Sequence, residues 1–184
     1  PHGALRAYVM GERGADNEEP TEADIGEMAR LVEEGVRAGA LGVSTSRTIL
    51  HKSIDGELVP GTTATEAELL ALGRAMARAG HGVFELTSDL LPEWDEFGWM
   101  RRLSDETGQP IVFSMLQSPI KQMHWKDQMA AMRAANDNGA KIVAAIGLRG
   151  IGVIMNWRGT VHPFMRKPSW ETIKDLPWDQ QKAK

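Results

Sequence analysis

The stretch Thr65–Thr87 reads TEAELLALGRAMARAGHGVFELT, and its order decides the class of fold. Thr65 followed three residues later by Glu68 is a capping box, the signature of a helix N-terminus. Leu69, Leu72 and Met76 then recur at helical spacing and predict one buried stripe. Gly80 is the stop, because the residue just past a helix end commonly turns left-handed, which glycine does without steric penalty. Val83–Thr87 follows as a short apolar run and is expected to be a strand. A capped helix that stops on glycine and feeds a strand is the return half of a β–α–β unit.

The unit recurs on both sides. Upstream, Thr21 and Asp24 make a similar start, with Asp standing in for the preferred Glu or Gln. Ile25, Met28, Val32 and Val36 supply the stripe, Gly39 the stop and Leu41–Ser44 the strand. Downstream, Phe97, Met100 and Leu103 lead through Gly108 to Ile111–Met115. Trp125, Met129 and Met132 lead through Gly139 to Lys141–Ile146. Leu5–Met10 reads as an earlier strand, which makes about five. The stop glycines lie 41, 28 and 31 residues apart, a spacing natural for one strand plus one helix. Such alternation indicates parallel strands joined by right-handed crossover helices, an α/β fold. The strands read as nearly continuous in apolar character, as expected when both faces are covered. Two architectures remain open, a doubly wound sheet and a (β/α)8 TIM barrel. A whole barrel takes roughly 250 residues, so in a chain of 184 the barrel reading implies a partial one.

Composition narrows the chemistry. The 42% hydrophobic and 25% charged content is that of an ordinary globular protein. With no cysteine, disulfide frameworks, thiolate zinc clusters and cysteine nucleophiles are excluded within this chain. Lys and Arg total 21 against 25 Asp and Glu, so no basic excess exists to neutralise nucleic-acid phosphates. The longest apolar runs, such as Ile142–Ile146, fall far short of the ~20 residues that span a bilayer. No secretory signal is visible, and the expected location is cytoplasmic. Pro1 is not an initiator Met, and the chain reads as cut or processed at its start.

Two stretches break the rhythm. Arg47–Thr63 is a long connection containing the turn formers Asp55-Gly56 and Pro60-Gly61, expected to be a lid or binding loop or a disordered insertion. After Gly147 the chain becomes rich in Trp and Pro, with a short helix expected near Trp170–Leu176 and a solvated tail over Gln180–Lys184. The expected organisation is a partial barrel over 1–150 and a Trp/Pro-rich segment of the same domain over 151–184.

In parallel α/β folds the C-terminal strand ends face the ligand. Here they carry Ser44, Ser46 and Arg47; Glu85, Thr87 and Asp89; Ser114 and Gln117; and Arg149. The functional reading is a polar site for an anionic or amide-containing small molecule, with Arg47 or Arg149 gripping a carboxylate. The plain alternative is the polarity of any strand-to-loop junction. Of the histidines, His2, His51, His81, His124 and His162 form no His-x-His and no His-Glu-x-x-His, so metal-ligand spacing is absent and no metal residue is assigned. His51, in the long loop close to Arg47, is the histidine best placed for a site. Gly147-x-x-Gly150-x-Gly152 lacks the phosphate-cradling order, and no Gly-x-Ser-x-Gly elbow occurs.

His2-Gly3-Ala4-Leu5-Arg6, Val9-Met10-Gly11, Glu27-Met28 and above all Gly39-Ala40-Leu41-Gly42-Val43-Ser44-Thr45-Ser46 carry a resemblance. Together with Thr65–Leu70 and Gly80–Phe84, they resemble the middle of the N-acyl-D-amino-acid deacylases, the D-aminoacylase branch of the amidohydrolase superfamily. The resemblance covers most of residues 1–150 and continues loosely to His162-Pro163-Phe164. It implies an internal length of a TIM barrel that hydrolyses the amide of an N-acyl-D-amino acid or related amide, with zinc polarising the carbonyl and activating water. The family's His-x-His and essential Asp have no counterpart here, and its two strand-end histidines fall at Thr87 and Met115, neither an imidazole. The family's substrate-side loop matches Ser44-Thr45-Ser46-Arg47, after which Thr48-Ile49-Leu50-His51 departs from the usual Gly-Leu-x-Tyr. The implied substrate-binding residues are Ser44, Ser46, Arg47 and His51. Zinc is expected in the full-length family, with none held by this segment alone. The expected partner is a small N-acyl amino acid or amide, with no nucleic acid, no membrane and a possible homo-oligomer. The rival reading is a non-catalytic binding or interaction module with Trp157–Trp178 as its surface.

Overall fold

Four parallel strands, β1 (Gly42–Arg47), β2 (Val83–Ser88), β3 (Ile111–Ser114) and β4 (Ile142–Ala145), form one sheet in the order of the chain. They belong to a computed structural model that describes residues 1–91, 94–116, 125–150, 152, 154–157, 159, 162–165 and 167–183. Helices α1 (His2–Met10), α2 (Glu12–Ala15) and α3 (Glu22–Arg37) precede the sheet. Helices α4 (Glu66–Arg78), α5 (Glu96–Thr107) and α6 (Trp125–Asp137) connect its strands in turn. A doubly wound sheet reverses its strand order at a switch point. This one never reverses, and right-handed crossovers wound in one direction put their helices on one face. The architecture is therefore the α/β, partial-barrel one of the two that the sequence left open.

The expected punctuation is present. Thr21 Oγ1 accepts from Asp24 N while Asp24 accepts from Thr21 N, a complete capping box. Gly39, Gly80, Gly108 and Gly139 all have positive φ after their helices. At β1 a different glycine is required: Gly42 has φ 150°, and a Cβ there would lie 2.0 Å from the Val83 carbonyl oxygen. Only glycine lets the first two strands meet at that register.

The core lies between the sheet and the helices. Met28, Val32 and Val36 of α3, Leu69, Leu72 and Met76 of α4, and Trp99, Met100 and Leu103 of α5 pack with Val43, Phe84, Leu86, Ile111 and Phe113. Phe84 meets Trp99 edge-on at 5.5 Å, and Phe97 meets Phe113 at 5.4 Å. Each fully buried large side chain contributes roughly 1.5–3 kcal/mol, so this one-sided cluster is what holds the sheet.

Two expectations are corrected. Leu5–Met10 is not a strand but lies in α1, so the described strands number four rather than five. The buried face of α1 is His2, Arg6 and Met10, while Tyr8 is 79% exposed. A helix that buries a histidine and an arginine hides its period from an apolar count. The strands are also not covered alike on both faces. Burial alternates along β1, β2 and β3, and the second face is only partly covered.

The chain divides into two compact units, Pro1–Leu148 and Arg149–Lys184. In the second, α7 (Pro168–Glu171) and α8 (Trp178–Lys182) are single turns. The first begins slightly before the expected Trp170, and the second turns the expected tail into a short helix. Trp157 stacks on Phe164 at 4.7 Å, and His162 stands edge-on to Trp170 at 4.4 Å.

Candidate functional site

Strand alternation sends every second side chain to one face. Val43, Thr45 and Arg47, with Phe84, Leu86 and Ser88, take the helix-covered face, and all six are buried. The other face carries two rows in register. Ser44, Glu85, Val112 and Val143 form one, and Ser46, Thr87, Ser114 and Ala145 form the next toward the C-terminal ends. Thr87 Oγ1 and Ser114 Oγ lie 3.3 Å apart across two strands. In a closed barrel this face points inward.

A pocket of about 130 Å³ opens where β2 and β3 end, lined by Thr48, His51, Thr87, Asp89, Ser114 and Gln128 among others. The loop after β1 forms one wall. Asp89 anchors its start by accepting from Thr48 Oγ1 at 2.6 Å and from the Ile49 amide at 2.8 Å. Its far end is held by Asn17, whose amide donates to the Leu58 and Val59 carbonyls and accepts from Gly61 N. Between these anchors a Lys52–Leu58 bridge and the turn at Gly56 fold the loop on itself. Gly61 has φ 93°, and a Cβ there would come within 2.9 Å of His2 Nδ1. The Pro60-Gly61 turn is therefore needed for close approach as well as for reversal.

The four expected substrate residues separate into two groups. Ser46 and His51 come together, with Ser46 Oγ 2.7 Å from His51 Nδ1 on the accessible side. Ser44 shares their face one row deeper. Arg47 points the other way. It is buried, donates from Nε to Glu96 Oε1 at 2.7 Å and from Nη1 to the Ala64 carbonyl at 2.6 Å, and lies 5.1 Å from the Trp94 ring centre. Ser88 and Trp99 complete the hydrogen bonding of Glu96. Arg47 thus faces a carboxylate of its own protein. The Ser46–His51 pair has no carboxylate on His51 among the described residues, so the third group that orients a base in nucleophilic catalysis is missing. Gln117 and His124 lie outside the described residues.

Two carboxyls are shifted in opposite senses. Burial pushes the Glu85 carboxyl up. Burial also pushes Glu68 up, but hydrogen bonds and charge from His2 and Arg6 outweigh it and leave that carboxyl below the usual carboxylate range. Arg6 donates to both Glu68 oxygens at 2.7 Å, and His2 Nε2 lies 2.8 Å from Oε1. A carboxylate only accepts, so Nε2 carries a proton. His2 Nδ1 reaches Thr45 Oγ1 at 2.9 Å, and Arg6 also donates to the Glu18 carbonyl. Sequence reading missed this cluster, because Glu68 was read as half of a capping box. Thr65 Oγ1 does accept from Glu68 N, but the Glu68 side chain turns to His2 and Arg6.

The donor set does not suit zinc. The outermost residues of the open face are Ser46, Thr87, Ser114 and Ala145, where tetrahedral zinc sites use imidazole, thiolate or carboxylate. Asp89 and Glu96 are held by other side chains, and no three His, Cys, Asp or Glu side chains come together among the described residues. These residues assemble a hydroxyl- and amide-lined surface.

Solved structures share the fold. A D-aminoacylase mutant in complex with copper chloride superposes with a TM-score of 0.60 at 23% identity, over 79% of this chain and 29% of that one. An N-acyl-D-glutamate deacylase from Bordetella bronchiseptica, complexed with zinc and a phosphonate mimic of the tetrahedral intermediate, gives 0.57 at 22% identity with the same coverage. In fold, this chain is similar to part of a D-aminoacylase. It spans about 29% of the length of those chains. No protein-family model matches the sequence, and neither does any curated protein. No helix among the described residues is long and apolar enough to cross a membrane.

Proposed function

We propose that this chain supplies four consecutive strands of a metal-dependent amidohydrolase barrel acting on the amide of an N-acyl-D-amino acid or a related amide. The supporting observation is the coincidence of a singly wound parallel sheet, a polar uncovered face and likeness to D-aminoacylases over 79% of the chain. Ser44, Ser46 and His51 form part of the substrate wall, and the loop from Arg47 to Thr63 frames it. Arg47 acts from behind the wall, tying β1 to α5 through Glu96. No metal-borne step is assigned to these residues. A metal serving the reaction has its ligands elsewhere in the whole protein, which is proposed to be longer, intracellular and able to bind a small acylated substrate.

The test is zinc content and amide hydrolysis by the product of the complete gene, over a panel of N-acyl-D-amino acids. Stoichiometric metal with turnover is expected, and metal-free protein without turnover on the whole panel would sink the proposal. The 184-residue chain by itself is expected to turn over none of the panel.

A further inference from the structure

We propose that Asn17 is a positioning residue for this site: from the turn after α2 it holds His51 against Ser46, through backbone hydrogen bonds of the intervening loop. Its side chain uses both donors and its acceptor on one strip of that loop. Nδ2 donates to the Leu58 and Val59 carbonyls at 3.1 and 3.2 Å, and Oδ1 accepts from Gly61 N at 2.8 Å. Two carbonyls on one side and an N–H on the other fix which way the amide points. Asn17 itself stands at φ 60°, in the left-handed region that asparagine enters more readily than most residues.

The strip it grips runs back antiparallel to residues 51–53. Val59 N donates to the His51 carbonyl at 3.2 Å, Ser53 N donates to the Glu57 carbonyl at 2.8 Å, and Lys52 bridges Leu58. His51 therefore hangs on Val59, and Val59 hangs on Asn17. Helix α1 backs the same strip: a Cβ on Gly3 would come within 2.8 Å of the Pro60 carbonyl oxygen, so Pro60 lies directly on the helix. Asp89 fixes the start of the loop at Thr48 and Ile49. The place of the imidazole, 2.7 Å from Ser46 Oγ, is set from the loop's other end. Aspartate at position 17 would keep the acceptor for Gly61 N but turn a second oxygen on two carbonyls. Glycine there would keep the left-handed backbone and lose all three bonds.

That His51 lines a substrate wall rests on the amidohydrolase proposal; its placement by Asn17 does not, and the test reads geometry, not turnover. In the isotope-labelled 184-residue chain, nuclear Overhauser contacts between the Ser46 methylene and the His51 ring are measured. Amide exchange is followed at Ser53 and Val59, whose N–H groups bond within the loop and not to Asn17. The wild-type chain is expected to show the Ser46–His51 contact. Asn17→Asp and Asn17→Gly are each expected to lose it and to exchange both amides about tenfold faster, the equivalent of one hydrogen bond, with the amide signals of β1–β4 in place. Retention of the contact in Asn17→Gly would show that the backbone turn suffices and would overturn the proposal. So would a wild-type chain without the contact, unchanged exchange in a folded Asn17→Asp, or loss of the sheet signals in both variants, which would make Asn17 a general support of the fold.

Discussion

Glu68 is the residue on which the most depends. It sits fully buried between His2 and Arg6, and removing its charge leaves the Arg6 guanidinium without its counter-ion. Glu68→Gln is expected to lower the unfolding free energy by about 3–5 kcal/mol, the cost typical of breaking a buried ion pair from one side. Urea unfolding measures it. Because the folded carboxyl lies below the ordinary carboxylate range, its stabilisation is present at neutral pH and is lost as the pH falls through that lowered value. The urea midpoint of the wild-type chain should therefore drop in that acid range more than that of Glu68→Gln. Glu85 has the opposite sign. Burial raises its carboxyl, so Glu85→Gln is expected to stabilise the chain at neutral pH, with the gain fading as acid protonates the wild-type group. At this scale the sequence was legible where side chains cap helices and illegible where they meet across sixty residues. Nothing local in Thr65–Glu68 says that the carboxylate is claimed by α1. The side to which Arg47 turns follows from strand geometry: alternation along β1 sends its guanidinium to the helix side, where it meets Glu96, while Ser46 beside it takes the other face.

Among the elements, α3 shows how a short signal fixes a boundary. Thr21→Ala removes the cap hydroxyl that accepts from Asp24 N and is expected to cost about 0.5–2 kcal/mol, read as a lower thermal or urea midpoint. Gly42→Ala acts on pairing, since the added Cβ would strike the Val83 carbonyl. A loss of more than about 2 kcal/mol is expected, in the range reserved for backbone strain and overpacking. The four β-strand positions were readable because stop glycines and apolar runs are local. The first helix was not, because α1 buries its polar side against Glu68 and exposes Tyr8. The covering of the sheet was also misjudged. Ser44, Ser46, Glu85 and Thr87 alternate with buried neighbours, a period of two that marks one uncovered face.

For the whole molecule, strand count and order set the terms. Within the described sheet β1 and β4 each have one neighbour, and Leu41, Val143 and Ile146 near those edges are 88%, 52% and 55% exposed. Open parallel edges with apolar flanks invite pairing, so the 184-residue chain is expected to scatter light as a species larger than 20.2 kDa. A monodisperse monomer would contradict that. Strand order distinguished a barrel from a doubly wound sheet, a matter that periodicity alone had left open. The proposed membership of this sheet in an amidohydrolase is decided by the free amino acid released from N-acyl-D-amino acids by the complete gene product, before and after chelation and zinc return. Release that chelation abolishes and zinc restores is expected; a zinc-loaded, folded protein that releases no amino acid from any member of the panel would contradict the proposal.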